Sequence, residues 1–160
     1  MCSENALGDA VNQQQRLDAY IAGYVDGEGS FHVAIQRNPS TTAGWQLVPE
    51  FHVSQNRDRR QVLDLIQQRL GCGRIRENHR NGDSCLVFVV RDRNDLLTKV
   101  IPFVERQPLL SSKQRDFLVF AAIVRRMSAR EHLSPEGFRD LKGLALTMNG
   151  GGRYRRVHRV

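Results

Sequence analysis

The sequence predicts an α+β domain in the order α-β-β-α-β-β-α-α-α: an αββαββα core with a four-stranded antiparallel sheet, plus extra C-terminal helices. Two observations carry this expectation. Two pairs of segments look like strands joined by short turns rich in Gly, Pro and Asn. Around them, apolar residues recur at three- and four-residue intervals, the spacing of helices with one buried face. The length of 160 residues suits one such domain with a real core, and two would be tight.

Each element follows from its residues. Arg16–Phe31, "RLDAYIAGYVDGEGSF", opens as an amphipathic helix. In Ser30–Asn38, Phe31, Val33 and Ile35 alternate with polar neighbours, the period of a half-buried strand. "NPSTTAG" is a turn, and Trp45–Gln55 alternates again, with Pro49 weakening the strand or marking a bulge. Asn56–Gly71 places Val62, Leu65, Ile66 and Leu70 on one helical face and stops at glycine. "GRIREN" and "SCLVFVVRD" form a second hairpin around Asn81-Gly82. "CLVFVV" is apolar on both faces, so its parity stays open. A helix over about 94–103 is disturbed by Pro102, and "SSKQRDFLVFAAIVRRM" sets Phe117, Phe120, Val124 and Met127 in helical register. The last helix opens with Ser134 as N-cap and Pro135 in its first turn, and ends at the glycines 150–152. The resulting division is an N-terminal arm over 1–15, a domain over 16–149 and a basic tail over 150–160.

Composition narrows the function. The net charge is +7 and the pI about 10.0, a balance that favours a polyanionic partner. No apolar run approaches the roughly 20 residues of a membrane span, and the first residues have no secretory pattern. Neither a membrane nor a small-molecule substrate is expected. Cys2, Cys72 and Cys85 form no CxxC pair, which points away from zinc and toward a reducing intracellular compartment, with Cys72 and Cys85 in the core. One sheet face should bury the apolar residues. The other carries Ser30, His32, Gln36, Asn38, Gln46, His52, Arg74, Arg76 and Asn78, with Glu50 as its one acid at these strand positions. Gln and Asn match adenine in a major groove and Arg matches guanine; a solvated polar face is the alternative.

The first helix breaks two rules. Ala19, Gly23 and Gly27 lie four apart, a narrow stripe along which another backbone could approach closely, although each internal glycine costs about 1 kcal/mol. Packing on the chain's own core is the alternative. Asp26 and Glu28 sit at the C-terminus, where the macrodipole disfavours acids. If the stripe meets a symmetry mate, two Glu28 carboxylates approach the two-fold axis and need cations. Oxygen ligands suit Mg²⁺, Mn²⁺ or Ca²⁺.

At this point "IAGYVDGEG" (Ile21–Gly29) resembles the signature nonapeptide of the LAGLIDADG homing endonucleases, with Glu28 in place of the usual second aspartate. The element order matches as well, over roughly 17–130. The resemblance implies that Glu28 binds metal and is catalytic, that the Gly27 carbonyl joins it, and that Asp26 supports the helix end and the dimer interface with Ala19, Gly23 and Gly27. "VSQNRDRR" resembles the stretch after the second strand of single-motif members, which implies active-site roles for Gln55 and Arg59. "QPLLSSKQ" resembles the stretch carrying the family's active-site lysine, implying Lys113. Only one nonapeptide is present, so the resemblance implies a homodimer that cuts both strands of a long, roughly palindromic DNA target across the minor groove, leaving 3′ overhangs. Mg²⁺ is the expected cofactor, with Mn²⁺ substituting and Ca²⁺ binding without cleavage. The loop over 39–44 and the tail arginines are expected to add phosphate contacts. Two other readings remain at this stage: a non-cleaving member acting as an intron RNA maturase or DNA-binding regulator, and a basic dimer whose Asp26 and Glu28 only cap the helix.

Overall fold

Helix α1 (Ser3–Glu28) runs without a loop into strand β1 (Gly29–Arg37). The reversal is tight: a Cβ on Gly29 would lie 2.6 Å from the Val25 carbonyl oxygen, so only glycine fits the junction. The computed structural model describes residues 3–80 and 83–151. Strand β2 (Trp45–Asn56), helix α2 (Arg60–Leu70), β3 (Arg74–Arg80) and β4 (Asp83–Val90) follow. The chain then enters consecutive short helices α3 (Arg93–Asp95) and α4 (Ile101–Arg106) joined by a π-helical turn, Leu96–Val100. Helices α5 (Lys113–Ser128) and α6 (Pro135–Gly151) complete the described fold.

The four strands form one antiparallel sheet in the order β1-β2-β4-β3. Its register settles the parity left open by "CLVFVV". Leu86, Phe88 and Val90 stand opposite Gln55, Val53 and Phe51, on the face covered by helices. Val87 and Val89 point to the other face, yet they are 5% and 2% exposed and give it an apolar floor. Pro49 makes no bulge: it pairs in register with Val33, and β2 gains its second neighbour only from Phe51 onward. A missing N–H is tolerated there because one side of the strand has no ladder to supply. The turn expected at Asn81-Gly82 lies outside the described residues, as does the tail from residue 152.

Several boundaries differ from the sequence expectation. Residues 3–15, expected as an arm, are the first turns of α1; Ala, Leu and Gln favour helix there even with side chains 8–16 exposed. The α2 helix begins after a 3₁₀ turn (Arg57–Arg59), and its buried side is Leu63, Ile66 and Leu70, with Val62 and Leu65 at the margins. The helix around Pro102 extends from Arg93 to Arg106, because Pro102 falls in the first turn of α4, where an amide donor is not required. Met148, Asn149 and Gly150 leave helical geometry before the glycine run is complete. Cys72 and Cys85, expected in the core, are only half-buried.

Phe31 is the centre of the core. Its ring stacks on Phe51 at 5.1 Å and meets Phe117 and Phe120 of α5 at 5.2 and 5.3 Å. All four rings are essentially fully buried. The expected stripe Phe117, Phe120, Val124 and Met127 is the buried side of α5. Ser134 caps α6 as expected, accepting from the Gly137 amide at 3.0 Å. No helix among the described residues is long and apolar enough to cross a membrane.

Asp18 ties α1 to α2. It is 8% exposed and accepts from Arg69 Nε at 2.6 Å and Arg69 Nη2 at 2.8 Å, with Gln14 adding a third bond at 3.0 Å. The Arg69 bonds hold its carboxyl below the usual range against the cost of burial. Breaking such a pair leaves a charge without its partner. Asp18→Ala should lower unfolding free energy by about 1–3 kcal/mol in urea titration, and an Asp18→Leu/Arg69→Met double variant should recover most of the loss. Additive losses in the double variant would contradict the pairing.

Candidate functional site

The C-terminus of α1 is satisfied from outside the helix. Lys113, the first residue of α5, donates from Nζ to the Val25 carbonyl at 3.1 Å and the Gly27 carbonyl at 3.3 Å. These are among the orphan carbonyls that close every helix, and an ammonium there also opposes the negative end of the dipole. Burial lowers the pKa of Lys113, against the raising influence of Asp26, Glu28 and Asp116.

Asp26 turns toward the same loop. One carboxylate oxygen accepts from the Leu110 amide at 2.9 Å and the Ser111 amide at 3.0 Å, and the other accepts from Ser111 Oγ. Burial works to raise its pKa, but the bonds from Ser111 and Leu110, together with nearby Lys113, outweigh it and hold the carboxyl low. Asp26 thus fastens the approach to α5 from within its own chain, rather than presenting a bare acid at the stripe.

Glu28 differs from Asp26. It is exposed, and no hydrogen bond or ion pair engages its carboxylate among the described residues. Gln55 bonds to Tyr24 Oη and, through its Oε1, accepts from the Asn56 amide at 2.7 Å. Tyr24 lies one turn before Glu28, so Gln55 is held beside the helix exit. Arg59 is exposed on the 3₁₀ turn after β2, and among the described residues no hydrogen bond or ion pair joins it to this group. The structure therefore gathers Asp26, Gly27, Glu28 and Lys113, brings Gln55 near through Tyr24, and leaves Arg59 at the margin.

The donors fit a hard cation, but only in part. An exposed carboxylate and the Gly27 carbonyl are oxygen ligands of the kind Mg²⁺ and Ca²⁺ take. Among the described residues no cluster of three or more His, Cys, Asp or Glu could hold a metal. One chain therefore offers no more than a fraction of a coordination shell.

The small-residue stripe faces outward. Ala19, Gly23 and Gly27 are exposed, and nothing in the chain lies within 4 Å of a Cβ built on either glycine. The opposite side of α1 buries Asp18, Ile21, Ala22 and Val25. Packing on the chain's own core thus does not account for Gly23 and Gly27.

The sheet face away from the helices collects eight of the nine expected positions, and Asn38 lies one residue beyond β1. The strand register sets Ser30 opposite His52 and Gln36 opposite Gln46, with Arg74, Arg76 and Asn78 opposite Val89, Val87 and Cys85. Arg74 and Arg76 are exposed. Asn38 donates to Gln46 at 2.8 Å, and Gln46 donates to Gln36 at 3.4 Å, a chain of amides along one end of the face. His32 stands opposite Glu50.

Sequence reasoning missed three contributors. Asn149 adopts a left-handed conformation with φ of 53°. It donates from Nδ2 to the Phe31 carbonyl at 3.1 Å and from its amide to Asp116 at 2.9 Å, fastening the end of α6 to β1. Asn before a glycine run is the signal that could have found it. Tyr24 and Glu50 left no signal beyond residue type.

Asp26→Ala should free the loop over 110–112 without unfolding the sheet. Hydrogen exchange of the Leu110 and Ser111 amides should accelerate by roughly tenfold or more while that of β2 is unchanged. Unaltered exchange at both amides would show that the carboxylate does not hold them.

Comparison with known proteins identifies the family. A family model described as LAGLIDADG endonuclease matches residues 21–124. A Neurospora crassa protein named probable intron-encoded endonuclease 3 is 33% identical over 141 residues. That match covers 88% of this chain, which spans 26% of that relative's length. The crystal structure of the homing endonuclease I-TnaI superposes with a TM-score of 0.78 at 37% identity, covering 84% of this chain and 88% of that one. The I-LtrWI LAGLIDADG homing endonuclease, solved bound to target DNA, gives 0.80 at 31% identity over 86% of this chain and 46% of that one. With "IAGYVDGEG" forming the last turns of α1 and its junction with β1 of a four-stranded sheet, and a match spanning most of the chain, this protein belongs to the LAGLIDADG endonuclease family.

Proposed function

We propose that the chain is a site-specific, double-strand DNA homing endonuclease that acts as a homodimer. The observation that carries this reading is the contrast between the two acids of α1: Asp26 is fully engaged by its own chain, while Glu28 is exposed, with no hydrogen bond or ion pair to its carboxylate among the described residues, at the end of an open glycine stripe. A second copy packed along Ala19, Gly23 and Gly27 would bring the partner subunit's Glu28 close to the first. Such a pair of carboxylates, with the Gly27 carbonyls and DNA phosphate oxygens, would hold Mg²⁺, with Mn²⁺ as a substitute and Ca²⁺ as a non-cleaving ligand. When bound, the metal supplies an acidified water and neutralises charge at the scissile phosphate.

The remaining roles belong to the chain's own residues. Lys113, fixed on the Val25 and Gly27 carbonyls, places a positive charge behind Glu28. Gln55, steadied by Tyr24, orients solvent beside the phosphate, and Arg59 reaches a phosphate oxygen from the turn after β2. The sheet face enters the major groove with Ser30, His32, Gln36, Asn38, Gln46, His52, Arg74, Arg76 and Asn78 toward base edges. The exposed loop over 39–44 contacts phosphate, which makes binding salt-dependent. Each subunit reads a half-site, and cleavage across the minor groove leaves 3′ overhangs. A reducing intracellular compartment suits the free thiols; burial pushes the Cys72 thiol up to about 11, which keeps it protonated and unreactive.

Glu28→Gln should lower Mg²⁺-dependent cleavage by roughly a thousandfold or more while binding to the same DNA in Ca²⁺ stays within about threefold. Cleavage at the wild-type rate would remove Glu28 from the metal site. Gly23→Leu should shift sedimentation from dimer to monomer and abolish double-strand cutting. An intact, active dimer would place the interface elsewhere.

A further inference from the structure

The sheet face read as DNA-binding carries an acid that should not be there. Glu50 and His52 are two residues apart on β2 and share that face with Arg74 and Arg76. A carboxylate facing a phosphate-lined groove is repelled unless it is neutralised and has a task. Glu50 is only 13% exposed, whereas His52 is 29% and Arg91 46% exposed. One carboxylate oxygen lies 3.2 Å from His52 Nδ1, and the other accepts from Arg91 Nε. His32 faces Glu50 across the β1–β2 ladder, and Val89 faces His52 across the β2–β4 ladder. The acid is thus a half-buried anchor beneath two side chains that reach out of the surface. The imidazole 3.2 Å away and the Arg91 guanidinium hold the Glu50 carboxyl down to about 2 against burial.

The arrangement constrains the imidazole. Nδ1 is buried and faces the Glu50 carboxylate at 3.2 Å without a well-aligned hydrogen bond, so the exposed surface of His52 belongs to the rest of the ring, the part that carries Nε2. Arg91 borders an open cleft with Arg74, Val89 and Asp92, so its far end also meets the surface. A carboxylate only accepts, so a ring that turns Nδ1 toward Glu50 favours the tautomer with its proton on Nδ1, whose Nε2 is an acceptor.

We propose that Glu50 is a positioning residue for base recognition: it fixes the tautomer and orientation of His52 so that Nε2 accepts from the exocyclic amino group of adenine or cytosine at one base pair in each half-site. The inference rests on the reading of this face as the DNA-binding surface. Amino donors in the major groove occur only on adenine and cytosine, so an acceptor held in place discriminates against guanine and thymine. Without Glu50 the ring turns and either nitrogen can carry the proton. The discrimination then collapses at that position alone, while contacts to phosphate persist.

The test is selection of bound sequences, in Ca²⁺, from a DNA library randomised over the whole target. The wild type is compared with Glu50→Leu, Glu50→Gln, His52→Ala and the Glu50→Leu/His52→Ala double variant. The expected result is that both Glu50 variants lose roughly three- to tenfold preference at the same symmetric pair of positions as His52→Ala, with no further loss in the double variant. Glu50→Gln keeps the side-chain shape and carries the test if Glu50→Leu does not fold. A Glu50 profile identical to wild type, a loss spread equally over all positions, or additive losses would overturn the assignment of Glu50 while leaving the DNA face intact. A His52→Ala profile identical to wild type overturns the inference; if Arg76→Ala also loses no position, the DNA-face reading falls with it.

Discussion

The bond network between Lys113 and the last turn of α1 is the constraint on which the rest of the site depends. A helix that passes into a strand with no loop leaves its terminal carbonyls with nowhere to turn for partners. Here the ammonium of Lys113 supplies them, and Asp26 returns the favour by accepting from the amides that lead into α5. The two contacts are reciprocal: one charge from each segment satisfies the backbone of the other. They hold α1, β1 and the start of α5 as one corner, and Glu28 projects from it.

That corner explains why the acids at the helix end are tolerated. Asp26 has backbone donors and a nearby cation, so its charge stabilises the fold instead of opposing the dipole. Glu28 has only the fringe of the Lys113 charge and remains free for an external cation. The glycines divide in the same way. Gly29 is required by its own chain, since any side chain would strike the Val25 carbonyl. Gly23 and Gly27 meet nothing within 4 Å in their own chain, so contacts within the chain do not offset their cost in helix stability; the proposed dimer would. A short motif thereby combines one glycine that the turn requires, two that its own chain leaves uncovered, and two acids in different surroundings.

The fold was largely legible because its signals are periodic. Alternation in β1 and β2, the Phe117–Met127 stripe and the stop at Gly71 all translate directly into burial, and the structure repeats them. What escaped were features with no period. The helical start of α1 is set by propensity over exposed residues, and the parity of β4 could not be read because Val87 and Val89 are buried on the polar face. The resemblance of its motifs named Glu28, Gln55, Arg59 and Lys113, of which Glu28 and Lys113 lie at the exit of α1, Gln55 is held near it by Tyr24, and Arg59 stands on the turn after β2. The pairings Asp26–Ser111, Asn149–Phe31 and Glu50–Arg91 join residues 41 to 118 positions apart, and single-chain spacing carries no trace of them. Glu50 shows the difference well: its type was visible on the strand, but its partners decide whether it repels DNA or orders a reader of it.

The account holds that two Glu28 carboxylates are brought together across a two-fold axis to bind metal against DNA. The most direct measurement is anomalous diffraction from crystals of the protein with its selected DNA target, grown with Mn²⁺. The account predicts manganese peaks in inner-sphere contact with Glu28 of both subunits, beside the scissile phosphates and next to packed Gly23 stripes. Manganese bound elsewhere, or subunits related by a surface that leaves the stripe exposed, would contradict it.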